Sequence, residues 1–403
     1  MRIAMLKAII FDMDGVIIDS EPQHAKAALR VFERLHAPAD LAYCKSFIGS
    51  STKKLCEDSI AHFHLDITAD KLLQEMNNEK KAVLGEEGYQ IMPGITELIK
   101  VLYQKGVHLA IASSSSLAEI ENVVKSLGIK KYFTKLISST HVEKPKPAPD
   151  SFLLALKELG VSAKETVVVE DSCYGCQAAK AAGIVCVGFV NPNSGSQDLS
   201  SADVLLESFG AIDHRFFKNV LKRSLGEPIT IADTKRLIIR ELSTDDVKKI
   251  YNIYSDPEVR RYIPDIDDYL DVEMEKQAAY IRNVYSFYGY GIWGVYSKTS
   301  KKLIGKCGIE NQMIDGKEEI TLSYLLDSKY WGYGYAIECG KAIFEYAKSQ
   351  LDIKRIVALI DKHNTRSINT AKNLDMTFEK EVTYKGHNFL LYAIALPAAS
   401  KRA

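Results

Sequence analysis

Up to about residue 215 the chain repeats one pattern: a short apolar run, then a helical stretch. The runs LKAIIFD, VHLAIAS, KLISS, TVVVED and IVCVGF lack the alternation of a half-exposed strand, as parallel strands covered on both faces do. Between them, LAEIENVVKSLG and DSFLLALKELG have helical spacing and end at glycines suited to a helix C-terminus. This predicts an α/β fold, a doubly wound parallel sheet. One interval breaks the rhythm, because residues from about 20 to 90 hold helical patterns without a convincing core strand. An insertion after the first strand sits over the carboxyl ends of the sheet, where open α/β folds bind ligands. It is expected as a helical cap.

Between about Ser208 and Ala232 the pattern fades, with a Gly and a Pro near its end. TKRLIIREL then alternates as a strand, and GIWGVYS, KLIGKCGI and EEITLSYLL suggest a mostly antiparallel sheet. The expected organisation is a first domain over 1–215, a linker over 216–231 and an α+β domain over 232–403. Two domains also suit a length of 403 residues, more than one core usually serves.

Lysine plus arginine and aspartate plus glutamate number 52 each, which removes any global charge argument for nucleic acid or an anionic membrane. No apolar run is long enough to span a bilayer, and the opening MRIAMLKAIIFDMDG has no small-residue cleavage site. Seven scattered cysteines do not resemble a disulfide framework. A cytoplasmic protein acting on small molecules is expected.

At the end of the first apolar run, FDMDGVIIDSE sets Asp12 and Asp14 one residue apart, and in a strand they point to the same face. Two carboxylates crowded there call for a positive partner, and Mg2+ is the obvious one. Three more motifs follow, IASSSS and VVVEDSCYGCQAAKAAG at strand ends and EKPKPAPD ahead of a helix. Together the four resemble the haloacid dehalogenase superfamily, in particular its small-molecule phosphatases and β-phosphoglucomutases with a helical cap. The likeness covers about the first 210 residues.

That resemblance implies an aspartyl-phosphate mechanism on a small-molecule phosphate ester. Asp12 would be the nucleophile, and Asp14 would protonate the leaving alkoxide and then deprotonate the hydrolytic water. Asp12, the Asp14 carbonyl and Asp171 would hold magnesium, with Glu170 as a further or outer ligand. Ser113 would donate to the phosphoryl group, and alignment through KPAPD selects Lys146 over Lys144 as its ammonium partner. Asp19 and Ser20 are expected to be structural, as are Cys173 and Cys176, a single CxxC inside the last motif. HFH at 62–64 is expected on a helix surface. The competing activity is a sugar phosphomutase: His24 matches the mutase acid/base histidine, but the nearest counterpart of its cap lysine is Asn77, with Lys80 and Lys81 shortly after.

In the second half, SKYWGYGYAIECGKAIFEYAKS places a glycine-punctuated turn before a helix, and successive amides at a helix start make a nest for pyrophosphate. With TKRLIIRELSTDDVKKIYNIYSDPEVRRYI before it and IVALIDKHNTRSINTAKNLDMTF after it, the order resembles Gcn5-related N-acetyltransferases, closest to the branch acting on ribosomal-protein N-termini. The resemblance implies acetyl-CoA as cosubstrate and an amine acceptor, a small molecule or a protein N-terminus. The turn formed by Trp331, Gly332, Tyr333, Gly334, Tyr335 and Ala336 would hold the pyrophosphate. Asn364 would bind the pantetheine arm, and Ser367 would protonate the departing thiolate. Asp375 stands where relatives often have glycine, and Thr321 where they commonly have a glutamate base. Glu319, two residues earlier on the same face, is a weak substitute, and Glu310 a weaker one. The expectation is a bifunctional enzyme; the contrasting one is that one half only binds a ligand and regulates the other.

Overall fold

The structure, a computed structural model, describes residues 5–47, 52–210, 212–262, 269–351 and 353–397. The chain divides into two compact units, Met1–Leu225 and Gly226–Ala403.

In the first unit, strands β1 (Ala8–Phe11), β2 (His108–Ser113), β3 (Lys135–Ser138), β4 (Thr166–Glu170), β5 (Val185–Phe189) and β6 (Val204–Leu206) form a parallel sheet in the order β3-β2-β1-β4-β5-β6. The first five are the expected runs; the short β6 was not foreseen. Successive residues feed different cores. Ile9, Phe11, Leu109, Ile111, Val167 and Val169 face one cluster, while Ile10, Ala110, Ala112 and Val168 face another. Burial on both sides is why these runs do not alternate in polarity.

Helices Glu21–Arg34, Leu41–Lys45, Thr52–Phe63 and Ala69–Glu87 form the insertion after β1. They enclose their own core of Val31, Phe32, Cys44, Cys56, Leu72 and Met76. Arg30 joins the first of these helices to the last through Glu79 and Glu86.

Residues 216–231, expected as a linker, are largely structured. Helix His214–Ser224 starts at Asp213, whose side chain accepts from Arg215 N and Phe216 N, and it buries Phe217, Val220 and Leu221 against the first unit's core. That 3–4 spacing of apolar residues outweighs the basic residues and the Gly-Glu-Pro that suggested a break.

The second unit holds β7 (Thr230–Asp233), β8 (Leu237–Arg240), β9 (Ile292–Ser297), β10 (Leu303–Ile314), β11 (Lys317–Leu326), β12 (Arg355–Ile360), β13 (Thr377–Tyr384) and β14 (His387–Ala395). Their order is β13-β14-β12-β11-β10-β9-β8-β7. All neighbours are antiparallel except β11 and β12, which are parallel and share the single registered pair Thr321–Val357. Beyond it, toward their carboxyl ends, the two strands have no registered pair with each other. Helix Tyr335–Leu351 follows β11 and helix Thr365–Asn373 follows β12, so both begin at that opening. No described helix is long and apolar enough to cross a membrane.

Candidate functional site

The first site lies at the carboxyl ends of β1, β2 and β4. Lys146 Nζ donates to Asp12 Oδ1 (2.5 Å), Glu170 Oε1 (2.6 Å) and the Ala112 carbonyl (2.9 Å), next to Ser113 at the end of β2. Its ammonium also stands 5.0 Å from the Phe152 ring centroid. Lys146, not Lys144, is thus drawn in between the carboxylates.

Gly15 makes the approach of Asp171 possible. Its φ is +79°, and a Cβ there would fall 1.8 Å from Asp171 Oδ2, so only glycine lets this carboxylate lie against the turn after β1. Ser194 Oγ donates to the same oxygen (2.5 Å). Asp14 accepts from Ser20 Oγ and Ser115 Oγ, both at 2.9 Å, which fixes its carboxylate. Ser113 is buried and its Oγ accepts from Ser115 N (3.0 Å), leaving its hydroxyl proton for another acceptor.

Charge in this site is unbalanced. Burial pushes the Asp12 pKa well up, Lys146 pulls it back, and Glu170, Asp171 and Asp14 push it up further. Burial and then Glu170 raise Asp171 to about 7. Burial alone would depress Lys146, but Asp12 and Glu170 outweigh it and hold its pKa up. One ammonium among so many carboxylates leaves negative charge to be met.

The donor set suits a hard cation. Asp12 Oδ2 and Asp171 Oδ1 take no hydrogen bond among the described residues, and such oxygens, completed by a carbonyl and water, are what magnesium prefers. Glu170 differs: Lys146 occupies one oxygen, and Ser172 N (3.1 Å) and Oγ (2.9 Å) the other. Its place is as the lysine's partner rather than as an open ligand. Among the described residues no group of three His, Cys, Asp or Glu side chains is set to hold a metal by itself.

The structure adds Asn193 and Ser194, which sequence reasoning missed, and describes the surroundings of Lys80 and His24, named with the mutase alternative. In the cap Asn77 is exposed, whereas Lys80, one helical turn on, is half-buried and donates to Thr52 Oγ1 (3.1 Å). Burial lowers the Lys80 pKa, while the charges of Glu21 and Asp14 act against it. Burial, with Lys80 beside it, pushes His24 down to about 3, which keeps it neutral. In the loop after β5, Asn193 Nδ2 donates to Asp19 Oδ2 (2.6 Å), beside the Ser194 bond to Asp171. The signal was there: NPNS is a polar run at a strand's exit, as IASSSS is. Asp19 and Ser20 do hold the site's framework. Cys176 is buried with its Sγ 3.8 Å from Cys186 Sγ, and His62 is exposed and stacks on Tyr43.

The second site is built around the β11–β12 opening. Gly332 (φ +81°) and Gly334 (φ +76°) turn the chain into helix Tyr335–Leu351. Arg236 braces this turn: Nη1 donates to the Tyr333 carbonyl (2.8 Å), Nε to Glu338 Oε2 (2.6 Å), and the guanidinium lies 4.3 Å from the Tyr335 ring centroid. Trp331 Nε1 donates to the Leu326 carbonyl (2.8 Å), and Arg366 lies over the ring. The result is a fixed loop of backbone amides ahead of a helix N-terminus, with nothing within 4 Å of a Cβ built at Gly332. Ala336 lies in the first turn of that helix.

Asn364 is the N-cap of helix Thr365–Asn373, its Oδ1 accepting from Ser367 N (3.1 Å). Ser367 is half-buried. Beside it and Thr370 lies the buried Tyr324 hydroxyl, whose pKa burial raises while hydrogen bonding with Ser367 and Thr370 acts against the rise. Asp375 has φ +59°, a left-handed conformation that glycine adopts at least cost and aspartate tolerates. Glu319 is committed elsewhere: burial would raise its pKa, but Lys317 (2.9 Å) and Arg355 (3.1 Å) hold it down.

Comparison with known proteins agrees with both halves. Residues 9–189 match the haloacid dehalogenase-like hydrolase family, and residues 236–377 match the acetyltransferase (GNAT) domain. Validoxylamine A 7'-phosphate phosphatase of Streptomyces hygroscopicus subsp. limoneus is 32% identical over 204 residues, 50% of this chain and 94% of the relative. Fructose-1-phosphate phosphatase YqaB of Escherichia coli K12 is 32% identical over 176 residues, 44% of this chain and 92% of the relative. The phosphorylated carbohydrates phosphatase of Thermotoga maritima is 31% identical over 179 residues, 44% and 82%. Among solved structures, CbbY from Rhodobacter sphaeroides in complex with phosphate is similar at 28% identity and a TM-score of 0.45, covering 51% of this chain and 96% of that one.

Proposed function

The chain belongs to the haloacid dehalogenase-like hydrolases and carries a GNAT acetyltransferase domain in its C-terminal region, and on that premise we propose two reactions. The first unit hydrolyses a small phosphorylated carbohydrate with Mg2+; the second transfers acetyl from acetyl-CoA to an amine. The single observation that carries the first is the Lys146 ammonium held between Asp12 and Glu170 at the sheet's carboxyl edge.

Asp12, the Asp14 carbonyl and Asp171 would hold the magnesium ion, whose charge would neutralise the phosphoryl oxygens. Asp12 attacks phosphorus in line and becomes the aspartyl phosphate. Lys146 and the Ser113 hydroxyl steady the negative oxygens. Asp14, held by Ser20 and Ser115, protonates the leaving alkoxide and then deprotonates the water that releases phosphate. The relatives' names point to carbohydrate esters, and Lys80 with neutral His24 offers polar contacts for the hydroxylated part.

Lys80 and His24 also favour a second reading, a sugar phosphomutase, because they restore the cap cation and histidine that such a reaction uses. A panel of hexose and polyol phosphates separates the two. Release of inorganic phosphate that stops with chelator supports the hydrolase, isomerised sugar phosphate without net release supports the mutase, and neither product defeats both.

In the second unit the Trp331–Ala336 turn binds pyrophosphate, the β11–β12 opening takes the pantetheine arm near Asn364, and Ser367 returns a proton to the thiolate. Calorimetry of the whole chain with acetyl-CoA tests this: binding is expected, and its absence defeats the acetyltransferase assignment.

A further inference from the structure

An amine with a pKa near 10 must lose a proton before it attacks a thioester. Thr321 cannot take it, and Glu319 is tied up by Lys317 and Arg355. The answer lies in a hairpin. Strands β10 and β11 are joined by Asp315 (φ +49°) and Gly316 (φ +74°), the two positive φ values a type I′ turn requires. That turn sets Ile314 opposite Lys317, and the unbroken register sets Glu310 opposite Thr321. Directly opposed residues share a face, with Cβ atoms about 4.5–5.5 Å apart. Thr321 also forms the lone pair with Val357, so Glu310 stands one strand from the root of the β11–β12 opening.

We propose that Glu310 is the general base that deprotonates the acceptor amine, and that the amine enters by the adjoining cavity between helix Leu270–Tyr288 and β10. This rests on the acetyltransferase reading. The cavity, about 170 Å³, is lined by Glu273, Lys276, Gln277, Tyr280, Ile292 and Lys306. Among the described residues Gln277 Nε2 is buried there without a hydrogen-bond partner, an amide donor available to a carbonyl or hydroxyl of the acceptor. Lys306 lies on the same face of β10 as Glu310, and the Tyr280 hydroxyl accepts from Ile292 N (2.7 Å), whose residue pairs with Gly308, two positions before Glu310, so the cavity adjoins it. The Glu310 carboxylate takes no hydrogen bond and no ion pair among the described residues, unlike that of Glu319.

The charged and titratable groups around Glu310 are Lys306 on its own strand, Tyr280 from the helix, and Lys385 from the β13–β14 turn, with Glu273 and Lys276 farther along the cavity. Burial raises its pKa and the two lysines pull it back. A carboxylate raised in this way is the stronger base. In the reaction the amine lone pair adds to the thioester carbonyl carbon and the N–H proton passes to Glu310. The C–S bond breaks, the thiolate leaves and is protonated by Ser367, and the proton held by Glu310 returns through water to the Ser367 oxygen.

The test uses the 403-residue chain, following thiol release from acetyl-CoA with a free-α-amine peptide as acceptor and with water alone, which needs the same proton removal. Glu310→Gln is expected to slow release by about a hundredfold or more. It should flatten the acidic limb of the pH profile and leave acetyl-CoA affinity within about twofold. Adding Thr321→Glu places a carboxylate across the same strand pair and should restore part of the rate together with the acidic limb. A Glu310→Gln variant with wild-type rate and pH profile overturns the proposal alone. A loss accompanied by weakened acetyl-CoA binding, and not restored by Thr321→Glu, overturns it in favour of a structural role. Wild type that binds no acetyl-CoA removes the acetyltransferase reading as well.

Discussion

The two units keep their chemistry in different parts of the chain. In the first, side chains carry it: buried carboxylates converge on one ammonium, and their charges are mutually unfavourable without a cation. In the second, the donor site is mostly backbone, a glycine turn ahead of a helix and two parallel strands that pair once and then part. A side-chain site fails when one charge is removed; a backbone site fails when a conformation is denied. That contrast is open to direct attack.

The largest effect is expected at Lys146. Lys146→Met would leave Asp12 and Glu170 buried without their partner, and breaking a buried pair costs about 3–5 kcal/mol. Phosphatase turnover should fall by on the order of 10³, and the first unit's unfolding temperature should drop while acetyl-CoA binding holds. A turnover change below tenfold would show that the ammonium is not the centre of this site.

Gly334→Val comes next. Its φ of +76° disfavours any β-branched residue, so the amide nest should distort and acetyl-CoA affinity, read by calorimetry, should fall by roughly tenfold or more. Phosphate release should be untouched. Unchanged affinity would mean the turn is not the pyrophosphate site, and the two units would no longer differ as described.

Asn364→Ala is smaller and sharpens the comparison, because here one side chain both caps a helix and is assigned to a ligand. Loss of the Ser367 N bond should cost about 1 kcal/mol of stability. If Asn364 serves only as the cap, Asn364→Asp, which keeps the acceptor, restores both stability and acetyl-CoA affinity. If its amide also reaches the pantetheine arm, Asn364→Asp restores stability alone, the expected result.

How much of this was legible follows the same division. Asp12, Asp14, Ser113, Glu170 and Asp171 were readable because each sits where an apolar run ends, and strand ends in a parallel sheet meet at one edge, whereas Lys146, in the loop ahead of helix Asp150–Leu159, was found through the KPAPD motif. Lys80 was named only as a lysine shortly after Asn77, since counting back from a turn picks Asn77, while the fold of helix Ala69–Glu87 decides which of its side chains is buried. Residues 216–231 were misjudged because a short amphipathic helix rich in lysine and arginine reads as polar until its buried stripe is seen. Glu310 ranked below Glu319 in the sequence because its place opposite Thr321 depends on cross-strand neighbours that are distant in sequence. Yet the Asp-Gly of MIDGKE was the clue, as a two-residue turn fixes every pair outward from it.

The opening pair of aspartates offers the most direct test of the side-chain account. After incubation with an activated phosphate ester and magnesium, then acid quench, intact-mass spectrometry should find one added phosphoryl group on Asp14→Asn. That variant keeps the nucleophile but lacks the base that completes hydrolysis. Asp12→Asn should carry none, since an amide does not replace the attacking carboxylate. Equal labelling of the two variants, or magnesium-independent turnover by Asp12→Asn, would contradict the assignment of Asp12 as nucleophile and Asp14 as acid and base.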